Sequence, residues 1–125
     1  MFDSMRAVGA LAGLLRDKQK LAEAAERVRR TLDGARAEGS AGGGAVRVTA
    51  SGALRIVEVR LEPAMLAGLG SGDESRALAE GLIAEATNEA LTAAQAIARR
   101  TVADEAQELG LPEDIAGQFG AAMGL

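Results

Sequence analysis

The side chains best placed to do chemistry in this sequence are cations. Arg6, Gly9, Gly13, Arg16, Lys20, Glu23, Arg27, Arg30 and Gly34 recur at alternating intervals of three and four; five of these nine are basic and one is acidic. Such spacing puts them on one face of a helix. A row of cations on a helix is suited to holding a polyanion, because each neutralised phosphate releases condensed counterions and no base-reading group is required. Arg16, Lys20, Arg27 and Arg30 are the candidate phosphate ligands, with Arg29 beside the row. Arg99 and Arg100, the one basic pair in an otherwise acidic second half, are a further candidate contact. Each feature also has a plain structural reading. Glu23–Arg27 and Glu26–Arg30 have the i,i+4 spacing of a solvated, internally paired helix face. Arg99 and Arg100 would complement the negative end of a helix dipole.

The rest of the inventory excludes most other chemistry. The 125 residues contain no His, Cys, Trp or Tyr, and the only aromatics are Phe2 and Phe119. That removes an imidazole base, a thiolate nucleophile, a Cys/His zinc site, any disulfide and base-stacking platforms. No catalytic residue, metal site, cofactor or small-molecule substrate is expected. The acidic run Asp104, Glu105, Glu108, Glu113 and Asp114 lacks the glycine pattern of a calcium loop and reads as a solvated face. Gly39 to Gly44 follow a helix, precede a strand and lack a following Lys-Ser/Thr, so they read as a linker rather than a phosphate loop. The formal net charge of −4 conceals a division. Residues 1–72 carry 11 basic and 8 acidic side chains, whereas residues 73–125 carry 3 and 10. No stretch approaches the roughly 20 apolar residues of a membrane span. Asp3 and Arg6 do not make a signal-peptide start, so a cytoplasmic location is expected.

The elements that must position the cations follow from periodicity. Residues 3–38 read as one helix, capped by Asp3 or Ser4 and stopped by Gly39. Leu11, Leu14, Lys18, Leu21, Ala25, Val28, Leu32 and Ala35 form a heptad seam on it, with Lys18 as a charged interruption that sets register or reaches solvent. Residues 45–50 and 54–62 alternate as strands, joined at Ser51-Gly52 and closed by Pro63; Ile56 is out of phase with Val57 and signals a bulge or a second buried face. Arg47, Arg55 and Arg60 read as wet-face residues paired with Glu58 or Glu62. A second helix runs from Asp73 to Leu109, with Ser71 and Glu74 spaced as a capping box and Gly110 as its stop. Its stripe is Leu82, Ala86, Ala90, Ala93 and Ile97. The class is α+β: long helix, β-hairpin, long helix, in one domain over 1–110 with a flexible tail over 111–125. A lone hairpin cannot cover two such helices, and the open seam and strand edges ask for a second copy.

The strand Ala45-Val46-Arg47-Val48-Thr49, then Gly52, then Ile56-Val57-Glu58-Val59-Arg60-Leu61, Pro63, Leu66, Leu82-Ile83, Ala86, Asn88 and Ala90 resembles the YbaB/EbfC family of small bacterial nucleoid-associated proteins. The order of elements agrees over nearly the whole chain. The resemblance implies a homodimer whose strands join across the two chains, with the long helices projecting like tweezers. It also implies binding of double-stranded DNA with little sequence dependence, and residence in the nucleoid. The chain departs from common members in an Ala- and Arg-rich first helix and a strongly acidic second one. The second reading is therefore a dimeric protein-interaction or scaffold module. On that reading the acidic helix recruits a basic partner, and DNA binding is weak or lost.

Overall fold

The computed structural model describes residues 2–111 and Ala121, except for the side chains of residues 2–5, Ala7, Ala10, Leu11 and Leu14. The tail expected at 111–125 lies outside the described residues, apart from Leu111 and Ala121. The order of elements is α1 (Phe2–Gly34), β1 (Arg36–Ala41), β2 (Val46–Ser51), β3 (Ile56–Leu61), α2 (Pro63–Leu69) and α3 (Asp73–Glu108).

The first helix stops four residues before the expected end, and a third strand takes up the difference. At the end of α1 the Ala35 amide donates to the Thr31 and Leu32 carbonyls, and the Arg36 guanidinium donates to the carbonyls of Asp33 (2.7 Å) and Ala35 (2.9 Å). Orphan carbonyls at the helix end thereby find donors. The chain then runs extended through β1, with Ala37, Gly39 and Ala41 buried and Arg36, Glu38 and Ser40 exposed. Gly42, Gly43 and Gly44 all have positive φ, at 65°, 68° and 94°, so the expected linker is the turn of a β1–β2 hairpin. The sheet is antiparallel in the order β1-β2-β3.

The core lies between this sheet and α3. Val46, Val48 and Ala50 of the central strand are fully buried and pack with Ala86, Ala90 and Ala94 of α3. Opposite Val48 in register stands Gly39. A Cβ built on Gly39 would run into the Ala86 carbonyl oxygen and the Ala90 amide nitrogen, and would lie 3.0 Å from the Glu89 carbonyl carbon. Strand and helix backbones are therefore in direct contact, which only glycine on one side and alanine on the other permit.

The buried positions of α3 continue at every fourth residue: Ala86, Ala90, Ala94, Ala98, Val102 and Ala106. With 3.6 residues per turn, a stripe of period four winds around the helix by about 40° per step. Its first half faces the sheet. Its second half faces α1, where Val28 and Leu32 pack with Ala98 and Val102. No described residue of α1 before Ala24 is buried; Lys18 and Leu21 of the expected seam are exposed.

Several local expectations are met. The register shift at Thr49/Ala50 leaves Val57 as the extra residue opposite β2, the bulge signalled by Ile56 and Val57. Leu109 caps α3, Gly110 follows at φ 70°, its amide donates to the Gln107 carbonyl and that of Leu111 to Ala106, which is a Schellman closure. Others are corrected. The Ser71–Glu74 capping box does not form: Gly72 is the N-cap, no side chain caps the helix, and the Ser71 hydroxyl donates to the Gly68 carbonyl instead. Asp3 and Ser4 lie within α1, which already includes Phe2. The turn between β2 and β3 spans four residues, Gly52 to Arg55, with Leu54 at φ 63°.

The contact at Gly39 makes a sharp prediction. Gly39→Ala must lift α3 off the sheet and should destabilise the chain by about 1–3 kcal/mol. Ser40→Ala, on the exposed side of the same strand, should change stability by less than about 0.5 kcal/mol. Urea denaturation of the two variants measures both.

Candidate nucleic-acid interface

Arg16, Lys20, Arg27, Arg29 and Arg30 all lie on the exposed surface of α1. By helical geometry the row of Arg16, Lys20, Arg27 and Arg30 stands roughly a third of a turn or more from the face that Val28 and Leu32 bury. Among the described residues, Arg16, Lys20 and Arg30 have no carboxylate within ion-pair distance. Arg29 has Glu26 at 4.0 Å on a fully solvated face, where such a pair contributes little. Neither of the i,i+4 pairs expected from the sequence forms.

Arg27 is held differently. Its Nη2 and Nε both donate to Oε1 of Glu105 on α3, at 2.6 and 3.1 Å. The Glu105 side chain is only 13% exposed, against 49% for Arg27. Glu105 adjoins Val102 and Ala106 at the margin of the face packed on α1, which explains both its burial and its reach. The hydrogen bond to Glu105 is the first cause that raises the Arg27 pKa above its ordinary value, and the charges of Glu105, Glu23 and Glu108 act in the same direction. This is the one ion pair between separate elements among the described residues. Sequence reading missed it by assigning Glu105 to a solvated acidic face. The detectable signal was its place beside two members of the period-four stripe.

Because Arg27 meets α3 only three residues before that helix ends, the part of α1 that precedes it runs past the end of α3. Arg16 lies about 16 Å further along the axis, at 1.5 Å per residue. Arg16 and Lys20 thus sit on helix that α3 does not flank, while Arg30 sits where the two helices pack. Arg99 and Arg100 are exposed on α3 but do not point the same way. Arg99 flanks the stripe of Ala98 and Val102 on the side opposite Glu105, and Arg100 stands about half a turn from that stripe.

The strand arginines are placed by register. Arg47 is directly opposite Arg60, and Arg60 pairs with Glu58 of its own strand rather than with a cross-strand carboxylate. Arg47 lines an open cavity of about 230 Å³ with Glu38, Gly39, Ser40 and Glu89, two carboxylates against one guanidinium, which does not suit a phosphate. On the other side of the sheet β3 is an edge strand. Its Val57 and Val59 are each 48% exposed, and Ile56 is also uncovered. No helix among the described residues is long and apolar enough to cross a membrane.

Comparison with known proteins supplies the relationship that this geometry leaves open. The model of the YbaB/EbfC DNA-binding family matches residues 8–109. A nucleoid-associated protein of Bordetella avium is 33% identical over 104 residues, covering 83% of this chain and 91% of the relative. One of Xanthomonas campestris pv. campestris is also 33% identical over 104 residues, covering 83% and 92%. Among solved structures, an uncharacterized protein from Helicobacter pylori superposes with a TM-score of 0.57 at 19% identity, covering 74% of this chain and 88% of that one, which supports the fold. The resemblance read from the strands and the second helix is borne out: the chain belongs to the YbaB/EbfC DNA-binding family, a family of nucleoid-associated proteins and not of enzymes.

Proposed function

We propose that this protein binds double-stranded DNA in the bacterial cytoplasm as a nucleoid-associated homodimer, with little dependence on sequence. The observation that carries the reading is the exposed row of Arg16, Lys20 and Arg30 on α1, unpaired among the described residues and partly on helix that α3 does not flank. Three cations on one helix face contact backbone phosphates without reading base edges. Gln19 is the sole Asn or Gln in the sequence of α1, so hydrogen-bond readout in a groove has little to use there.

Dimer formation is supported by β3. Among the described residues its outer edge is unpaired, and Ile56, Val57 and Val59 are exposed beside a core built from the same sheet face. A second copy pairing along that edge buries these side chains, removes the free strand edge and presents two α1 helices to one duplex, as tweezers. Closure of α3 at Leu109–Gly110 supports placing the end of the domain at residue 110, with 111–125 as its tail.

The scaffold reading is favoured by one observation, the concentration of acid on α3, where Glu105 already occupies one cation of the row. Fluorescence anisotropy with duplexes of different sequence at two or more salt concentrations separates the two. The DNA reading expects log affinity to fall linearly with log salt and similarly for all duplexes. Arg16→Ala/Lys20→Ala/Arg30→Ala should weaken binding at least about tenfold for each duplex, since each lost phosphate contact removes a similar electrostatic term. No binding at low salt by a stable dimer would favour the scaffold. For the dimer itself, Val57→Lys/Val59→Lys should halve the mass seen by light scattering while leaving the helical circular dichroism in place; an unchanged mass would put the interface elsewhere.

A further inference from the structure

The basic row of α1 is not uniform: of its four candidate phosphate ligands, Arg16, Lys20 and Arg30 face solvent and Arg27 is bound to a carboxylate. Two donors of Arg27 converge on a single oxygen of Glu105, and that carboxylate is largely buried against the α1–α3 contact. Glu23 and Glu108 lie close enough to add to the field at the guanidinium. Chemically, Glu105 presents to Arg27 what a DNA phosphate would present, an anionic oxygen at hydrogen-bond distance in line with the guanidinium fork. The two anions compete for the same donors.

We infer that Glu105 is a positioning and specificity-determining residue of the DNA interface, an internal competitor that withholds Arg27 from phosphate. This rests on the DNA-binding reading above. Its consequence is that Arg27 adds little to counterion release in the native chain, because its charge is already compensated. Phosphate contact is then concentrated on Arg16 and Lys20 beyond α3 and on Arg30. A duplex gains Arg27 only by displacing Glu105, which favours DNA shapes that bring a phosphate close to the α1–α3 junction.

Titration of full-length variants with one duplex across a range of salt tests this. Glu105→Gln keeps the size and hydrogen-bonding capacity of the side chain and removes its charge. It should raise affinity about two- to fivefold at low salt, the scale of one solvent-accessible ion pair. It should also steepen the slope of log affinity against log salt by about 0.9 per chain, one additional phosphate contact. Both gains should vanish in Arg27→Ala/Glu105→Gln, and Glu105→Asp should stay near the native values. Glu108→Gln, which removes a nearby charge that makes no hydrogen bond to Arg27, should give a smaller gain and no steeper slope. The inference is overturned if Glu105→Gln binds no more tightly with an unchanged slope, if its gain survives loss of Arg27, or if Glu108→Gln matches it. A purely structural strut would instead weaken binding when Glu105 is changed. If the native chain does not bind DNA at any salt, the functional reading fails; Glu105→Gln then decides the competition alone, supporting it by acquiring binding and sinking it by remaining inert.

Discussion

The structure depends on one close approach, that of the β1 backbone to the α3 backbone at Gly39. Sheets packed face to face stand about 10 Å apart because side chains lie between the backbones, and a helix on a sheet is ordinarily held off in the same way. Here the intervening side chains are hydrogen on one side and methyl groups on the other, at Gly39, Ala86 and Ala90. That contact sets the height of α3 above β1 and β2. The period-four stripe then turns steadily away from the sheet, so the same helix that covers the sheet at Ala86–Ala94 meets α1 at Ala98–Val102. With almost no aromatic residues, the chain builds its core by nearness rather than by bulk. Small side chains bury little area each, but they bring backbones close enough for dispersion contacts to accumulate.

This economy also governs what could be read from the residues. Elements with strong apolar contrast were legible: β2 through Val46 and Val48, β3 through Val57, Val59 and Leu61, and the bulge through Ile56 beside Val57. So was the end of α3, because Gly110 followed by Pro112 is a local signal that needs no tertiary partner. β1 was not legible. Its inward residues are Ala37, Gly39 and Ala41, its outward ones Arg36, Glu38 and Ser40. Neither set contains a large apolar side chain, so a period of two leaves no hydropathic trace, and the heptad count ran on to Ala35. The seam of α1 was legible in phase but not in extent. Val28 and Leu32 are buried, while Leu21 faces solvent because α3 ends first. The basic face of α1 was legible as a surface. The capture of Arg27 was not, since its partner lies 78 residues away.

The division of charge between the two halves of the sequence acquires a place in the fold. The basic first helix and the acid-rich end of the last one run side by side, and Arg27–Glu105 is where they touch. Net charge alone therefore says little about the field felt by a polyanion. Among the described residues, Glu105 and Glu108 act on Arg27, whereas Arg16 and Lys20 precede the part of α1 that packs on α3.

The partial docking of α1 has a mechanical consequence. Among the described residues of this 33-residue helix, burial begins at Ala24, which puts the pivot at Val28 and Leu32. At 1.5 Å per residue the part of α1 that precedes Ala24 is about 33 Å long, so a tilt of about 5° at the pivot moves its tip by about 3 Å. That displacement is of the order of the axial rise per phosphate on one strand of duplex DNA, about 3.4 Å. The pivot is a small contact: Val28 and Leu32 meet Ala98 and Val102, with Ile97 beside them. Stiffness at that contact, rather than the length of the limb, then sets how far the basic face of α1 swings.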